Sequence, residues 1–236
     1  RLPVEGFAAE MIGAGKVDPE GRQHREELRD DERRRQLAFS LREQEAGLWT
    51  DIRWHLQIAE HLGRVVGVAS GMYLGNINMG VVGYLAVSAR VRGLGVGSKL
   101  RARLRTSFHR DARKIAGEPL EAVIGEVRRD NPWLRSLVRN DRVLALDFKY
   151  LQPRLRPGDK PVSLVLYYEG IARPLRRLAS ARIRTILYTT WRRIYRIARP
   201  LAHAEFRRML KDLEGRAFIG EIPMGDLPVP ARPSNC

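Results

Sequence analysis

The chain has 236 residues, and its 43 Lys and Arg against 27 Asp and Glu give a formal net charge of +16. This charge predicts anionic partners, but by itself it does not choose among nucleic acid, an acidic membrane face, a phosphorylated cofactor and an acidic carrier protein. Hydrophobic residues make up 44% of the chain, enough for a packed interior, and the lone Cys236 excludes an intramolecular disulfide and a thiolate metal cluster.

Charged residues dominate the first predicted elements. Residues 18–47 are dense in Glu, Arg and Gln, with opposite charges at helical spacing and a narrow apolar stripe. This pattern predicts one or two exposed helices, which we expect to form a lid over the core.

Three apolar segments follow, and they predict successive antiparallel strands. Residues 54–60, 64–69 and 81–87 have the β-branched and apolar content of strands. Residues 65–89 carry no charge over a length that suits a membrane span. Five glycines and two asparagines interrupt this stretch, however, and they favour a buried hairpin over a membrane helix.

A glycine-rich turn then leads into a basic helix. The segment reads Arg92-Gly-Leu-Gly-Val-Gly-Ser98. Glycine lets the backbone approach an anion closely, and a helix start directs its unpaired N–H groups toward that anion. The sequence therefore predicts a phosphate cradle, with a turn that merely needs positive φ angles as the alternative. A dinucleotide fingerprint is disfavoured because Ser98 stands where its third glycine belongs.

The elements after the turn complete a mixed α/β pattern. Apolar residues at helical spacing predict a helix that ends near Gly117, and residues 121–127 predict a strand. Asn131 and Pro132 predict an N-cap and first position for a second helix, which should run to about residue 140. Two strands over 144–151 and 162–168 follow. The five histidines have no metal-binding spacing, so we expect no metal site.

The string from Arg92 to Gly97 resembles the Arg/Gln-x-x-Gly-x-Gly/Ala signature of the GCN5-related N-acetyltransferase (GNAT) superfamily. The order of the predicted elements is also similar to that fold over residues 50–168. The resemblance implies an α+β fold with a mixed, mostly antiparallel sheet of six to seven strands and flanking helices. It also implies that the strands on either side of the phosphate-turn helix run parallel and splay apart, so that pantetheine enters between them.

The resemblance further implies the residues that bind coenzyme A. Backbone groups of Leu85, Ala86 and Val87 would pair with the pantetheine amides. The pyrophosphate would be bound by the backbone of the turn, which comprises Arg92, Gly93, Leu94, Gly95, Val96, Gly97 and Ser98. Asn131 falls where the family's second signature has an asparagine that contacts the pantetheine arm. Leu134 and Val138 depart from that signature, since a small residue and a tyrosine are expected there.

Acyl transfer to an amine needs a base that removes the extra proton of the amine. We expect Glu126 to be this base, because a carboxylate in an apolar wedge has a raised pKa. The alternative is a surface glutamate partnered by Arg128 or Arg129. Tyr150 is the candidate proton donor, with a sheet-packing aromatic as its alternative.

An arginine-rich segment follows this core. Residues 171–204 contain no acidic residue, and nine arginines lie between 173 and 199, interleaved with apolar and aromatic residues. The pattern predicts an amphipathic basic helix that lies on an anionic membrane, docks an acidic acyl-carrier protein, or packs on the core with its arginines solvated. Nucleic acid is disfavoured, since no recognition motif appears.

Three domain-level segments result. We expect an acyltransferase domain over 1–169, an arginine-rich helical extension over 170–215, and an extended or disordered tail over 216–236. The predicted function is transfer of an acyl group, acetyl by default, from acyl-coenzyme A to a small-molecule or peptide amine. The alternatives are a long-chain N-acyl amino acid synthase and a non-catalytic module that binds coenzyme A or a membrane. The lone cysteine favours a cytoplasmic location, with peripheral membrane contact through 171–199 as an option.

Overall fold

The computed structural model describes residues 51–154 and 159–227, together with Arg34, Arg42 and Glu45, which are helical and exposed. The chain divides into two units, 1–47 and 48–236. Apart from those three helical residues, the predicted helices over 18–47 and their role as a lid lie outside the described residues. The last part of the predicted tail, residues 228–236, also lies outside them.

The second unit begins with an antiparallel meander, as predicted. Strands β1 (Ile52–His61), β2 (Arg64–Leu74) and β3 (Met79–Val87) pair in sequence order. The charge-free stretch is thus the β2–β3 hairpin. Within the described residues, no helix is both long and apolar enough to cross a bilayer.

One long helix packs on this meander. Helix α1 (Val96–Ile115) buries one apolar face, on which Leu100, Leu104 and Phe108 lie, against the sheet. Phe108 sits so close to β3 that a Cβ on Gly80 would lie 2.1 Å from its ring. Gly117, with φ of +71°, follows the helix as predicted.

The sheet continues through a parallel strand after α1. Strand β4 (Ala122–Val127) pairs parallel with β3, and helix α2 (Pro132–Leu137) follows it. The remaining strands are β5 (Val143–Ala145), β6 (Tyr150–Gln152) and β7 (Val162–Gly170). The seven-stranded sheet has the order β1-β2-β3-β4-β7-β5, with β6 also paired to β7. This mixed, mostly antiparallel architecture with flanking helices is the predicted fold class.

The end of helix α2 and the strand that follows it were predicted wrongly. Helix α2 ends at Leu137 rather than near residue 140, and the single strand expected over 144–151 is two short strands. The strand is interrupted because the N–H of Asp147 donates to the carbonyl of Gly220 at 3.0 Å, and Gly220 is not part of the seven-stranded sheet. The chain therefore leaves the β7 edge between β5 and β6.

The arginine-rich segment is part of the core, so its predicted separation at residue 170 is wrong. It forms a short strand, β8 (Arg177–Ala179), then helix α3 (Ser180–Thr189) and a π-helical turn (Thr190–Ile194). A continuous helix over 171–199 does not form. The apolar side chains expected to meet a membrane or carrier are buried in the main hydrophobic cluster, namely Ile183, Ile186, Leu187 and Trp191.

The chain after this segment also packs on the core. Helix α4 (Ala204–Asp212) precedes strand β9 (Phe218–Gly220), which pairs antiparallel with β8. Ile219, Ile222 and Leu227 are all buried. The predicted tail is therefore wrong for residues 218–227, because these apolar side chains cover the sheet and α2.

Candidate active site

The glycine turn shapes the start of α1. Gly93 and Gly95 have φ angles of +80° and +76°, which L side chains rarely adopt, and Gly95 is the N-cap of the helix. Gly97, by contrast, has no positive φ, since it lies in the first turn of α1. Among the described residues no side chain caps this helix start, so its first N–H groups and the positive end of the helix dipole remain for a ligand.

A bulge in β3 opens the sheet beside this turn. Ser70 of β2 pairs with Tyr84, whereas the next residue, Gly71, pairs with Val82, so Gly83 is an extra residue on β3. A bulge bends its strand and increases its twist. The parallel pairing of β3 with β4 ends at the same place, with Val82 opposite Gly125. Beyond this pair the two strands separate.

The gap between these strands is a cleft of about 910 Å³, which we call the wedge cleft. One wall is β3 from Val82 to Val87, and the opposite wall is the end of β4 with residues of α2. The glycine turn lies at its mouth. Most of the residues predicted to bind coenzyme A line it, namely Leu85, Ala86, Val87, Arg92, Gly93, Gly95, Val96, Gly97, Ser98 and Asn131.

Two predicted site residues do not line this cleft. Leu94 is 69% exposed at the tip of the turn. Tyr150, on β6, is fully buried behind the cleft wall. Glu126, the predicted base, does line the cleft, directly beyond the last β3–β4 pair.

Glu126 is held by three side chains that converge on its carboxylate. The hydroxyl of Tyr150 donates to Oε1, and the hydroxyl of Tyr195 donates to Oε2. The amide of Gln152 lies 3.4 Å from Oε2 and 2.9 Å from the Tyr195 oxygen. Arg128 bonds to Asp130 at 2.8 Å instead, so the alternative of a surface glutamate paired with this arginine does not describe the site.

This environment sets the proton affinity of Glu126. Burial raises the pKa of the Glu126 carboxyl, and the hydrogen bonds from Tyr150 and Tyr195 keep it from rising further. Burial and the neighbouring carboxylate also raise the pKa values of both tyrosines, so their hydroxyls stay protonated as donors. The carboxylate is thus fixed in one orientation by donors that do not ionise at neutral pH.

Tyr195 and Gln152 were missed by the sequence analysis. The π-helical turn after α3 delivers Tyr195: its N–H donates to the carbonyl of Thr190 at 3.2 Å, and the next residue, Arg196, has a φ of +55°. Tyr195 and Glu126 are 69 positions apart. No local pattern could have joined them, although Gln152 directly follows the predicted strand over 144–151 that carries Tyr150.

Asn131 is the N-cap of α2, as predicted. Its Oδ1 accepts from the N–H of Trp133 at 3.0 Å, and Pro132 occupies the first helical position. Because Asn131 also lines the wedge cleft, its amide nitrogen is the part of the side chain that remains for a ligand. Leu134, which replaces the family's small residue, is buried against β4 and β7.

Comparisons with known proteins find similarity to acetyltransferases. Residues 19–122 match the model of the acetyltransferase (GNAT) family. No curated protein matches the chain significantly. Among solved structures, a proposed GNAT acetyltransferase from Bacteroides thetaiotaomicron is 15% identical, over 61% of this chain and 74% of that one, with a TM-score of 0.45.

Two further solved structures are similar. A ribosomal-protein-alanine N-acetyltransferase from Brucella melitensis is 20% identical, over 66% of this chain and 80% of that one, with a TM-score of 0.37. A proposed streptothricin acetyltransferase from Bacillus anthracis, in complex with acetyl coenzyme A, is 17% identical, over 49% and 61%, with a TM-score of 0.38. The similarity to the acetyltransferase (GNAT) family rests on the family model, which matches residues 19–122.

Proposed function

We propose that the chain transfers an acyl group, acetyl by default, from acyl-coenzyme A to an amine, because residues 19–122 match the model of the acetyltransferase (GNAT) family. One observation carries the proposal. A single cleft joins the glycine turn at the start of α1 to a partly buried carboxylate, Glu126. A phosphorylated thioester and a base for an amine therefore have places in the same cleft.

The donor would lie along β3. N–H groups at the start of α1 that no described side chain caps suit a pyrophosphate. Arg92, whose Nε lies 3.4 Å from the carbonyl of Val87, adds a positive charge beside them. Among the described strands, none pairs with β3 on the β4 side beyond Val82. The backbone groups of residues 83–87 that face away from β2 are thus available to pantetheine amides, and an N–H near Val87 to the thioester carbonyl.

Glu126 would act as the base. The amine nitrogen attacks the carbonyl carbon, the carbon–sulfur bond breaks, and its electron pair goes to sulfur. The proton that the amine loses goes to Glu126, whose raised pKa makes it a stronger base than an ordinary carboxylate. Tyr150 would position this carboxylate, since its hydroxyl is buried against Oε1 and lies outside the cleft lining.

The main argument for a membrane surface or a carrier protein as partner no longer holds. The apolar face that favoured a lipid surface or a carrier protein is occupied by the core of this chain. Thermal-shift screening against acetyl-, octanoyl- and palmitoyl-coenzyme A tests the acyl length. Stabilisation that rises steeply with chain length would favour the long-chain N-acyl amino acid synthase over the acetyltransferase.

The test of the proposal is a matched pair of glycine variants. Gly95→Glu places a carboxylate in the turn, and we expect acetyl-coenzyme A to bind at least about tenfold more weakly by calorimetry. Gly117→Glu is the control: this glycine also has a positive φ and open surroundings, but it lies at the opposite end of α1. Equal affinities for the two variants would overturn the donor site.

Turnover is tested separately. Thiol release from acetyl-coenzyme A, measured across a panel of primary amines, should depend on the amine and fall sharply in Glu126→Gln. Tight binding of acetyl-coenzyme A without amine-dependent thiol release would instead favour the non-catalytic module.

A further inference from the structure

A smaller cavity, of about 330 Å³, lies where the chain leaves the β7 edge between β5 and β6. We call it the gap cavity. The β5–β6 connection and β7 form two of its walls, and the chain from the end of α4 to Ile222 forms a third. Half of its lining residues are charged, namely Arg129, Asp147, Lys149, Asp212 and Arg216.

The gap cavity adjoins the wedge cleft at Leu164, which lines both. Leu164 pairs with Tyr150 across β6 and β7, and the Tyr150 hydroxyl donates to Glu126. Glu126 itself pairs with Leu166, two residues further along β7, so Glu126 and Leu164 point to the same face of the sheet. A molecule that places an amine at Glu126 can therefore extend past Leu164 into the gap cavity.

A short molecule is long enough to reach both places. Arg129 follows Glu126 by three residues, and three residues of extended chain span at most about 11 Å. The side chains of Glu126 and Arg129 shorten the distance that a ligand has to bridge. An amine with a short aliphatic chain therefore fits between them.

Two contacts fix the wall of the gap cavity that carries Lys149. The N–H of Lys149 donates to Oδ2 of Asp212 at 2.8 Å, and Nη2 of Arg216 donates to the carbonyl of Asp147 at 2.8 Å. The side chains of Asp212 and Arg216 also pair with each other, at 3.7 Å. Their opposite charges therefore offset each other, and both residues support the β5–β6 connection.

Three charged groups of the cavity remain for a ligand. The ammonium of Lys149 and the carboxylate of Asp147 have no hydrogen-bond or ion-pair partner among the described residues. Nη2 of Arg129 lies 3.4 Å from the carbonyl of Asp226, so this guanidinium keeps most of its N–H donors. Two cations thus stand against one carboxylate, and this balance favours an anionic group in the ligand.

We propose that the gap cavity binds a carboxylate of the acyl acceptor, so that the acceptor is an amine that also carries a carboxylate. This assignment rests on the proposed function. The amine lies at Glu126, and the aliphatic part of the acceptor packs against Leu164 and Phe148, which line the cavity. The carboxylate lies between Arg129 and Lys149.

Three primary amines with the same six-carbon chain test the charge. ω-Aminohexanoate carries a carboxylate, hexylamine carries no second charge, and hexamethylenediamine carries a second cation. Thiol release from acetyl-coenzyme A is measured with each. We expect kcat/KM to be highest for ω-aminohexanoate and about tenfold above that for hexylamine, since each of two solvent-exposed ion pairs contributes up to about fivefold.

A double variant tests the residues. Arg129→Gln combined with Lys149→Gln should abolish the preference, measured as the ratio of kcat/KM for ω-aminohexanoate to that for hexylamine. Lys211→Gln is the control: Lys211 is an exposed lysine of α4 next to Asp212, but it does not line the gap cavity. This control should keep the preference.

The outcomes separate the two proposals. Equal kcat/KM for hexylamine and ω-aminohexanoate, or a preference that persists in the double variant, overturns the carboxylate site and leaves the proposed function intact. A preference for hexamethylenediamine also overturns the site, because Asp147 would then dominate its charge. If the double variant does not fold, salt decides: the preference should fall as ionic strength rises, and a preference that does not change overturns the site. Failure of every amine to release thiol overturns the proposed function itself.

Discussion

Replacing Trp191 with alanine tests whether the arginine-rich segment belongs to the core. Trp191 is fully buried, and its ring packs edge-on against Phe206 at 5.1 Å and His203 at 5.8 Å. Truncation of a buried aromatic side chain to alanine costs about 3–5 kcal/mol, because transfer free energy is lost and a cavity remains. A domain is stable by about 5–15 kcal/mol, so this loss should be large and global.

The assay is guanidinium denaturation followed by far-ultraviolet circular dichroism, which does not depend on the tryptophan removed. We expect a single transition whose midpoint falls in Trp191→Ala. Tyr188→Ala is the control: Tyr188 lies on α3, contacts the same Phe206 at 6.3 Å, but is 44% exposed, so its loss should cost about 1 kcal/mol. A Trp191→Ala effect no larger than this, or a separate minor transition, would show that the segment is not part of the core.

Three further predictions concern the site and its support. Tyr195→Phe removes a hydrogen bond that lowers the pKa of Glu126, so the acid limb of the pH–rate profile should move to higher pH. An acid limb at the same pH would show that this hydrogen bond does not control the pKa of Glu126. Because the pKa of Glu126 is raised in the folded chain, its contribution to stability is present below the ordinary carboxyl pKa of about 4.3 and is lost as pH rises through the raised value. Glu126→Gln should therefore match the unmodified protein in acid and exceed its unfolding free energy at neutral pH, and a difference that does not vary with pH would refute this. Gly80→Ala, whose Cβ would lie 2.1 Å from the Phe108 ring, should lower the melting temperature far more than Gly83→Ala, whose Cβ would have 3.8 Å of clearance.

Local patterns in the sequence were sufficient for the meander, α1 and the glycine turn. Strand and helix periodicities act within a few residues, and the positive φ angles at Gly93 and Gly95 need a residue without a side chain. The N-cap at Asn131 is equally local, since its partner Trp133 is two residues away. Each of these features depends on near neighbours in the chain.

The rest depended on distant contacts. The alternation of arginine and apolar residues in 171–199 fits a membrane surface and a buried face equally well. The pattern shows that the segment has an apolar face, but it does not show which partner covers that face. The short strands β8 and β9 pair across about forty residues, with Leu178 opposite Ile219. Likewise, Glu126 could be chosen as the base from its place at a strand end, whereas its partner Tyr195 is fixed by a π-helical turn that has no sequence signature.

The chemistry of the site depends on the register of β4. Successive residues of a strand point to opposite faces, so Gly125 leaves room for Tyr167 on one face while Glu126 meets its tyrosines on the other. The pairing of Gly125 with Tyr167 fixes this arrangement. A shift of one residue would exchange the faces and place the carboxylate against the Tyr167 phenol, away from Tyr150 and Tyr195. The environment of Glu126 is therefore a property of strand pairing, and the residue alone does not provide it.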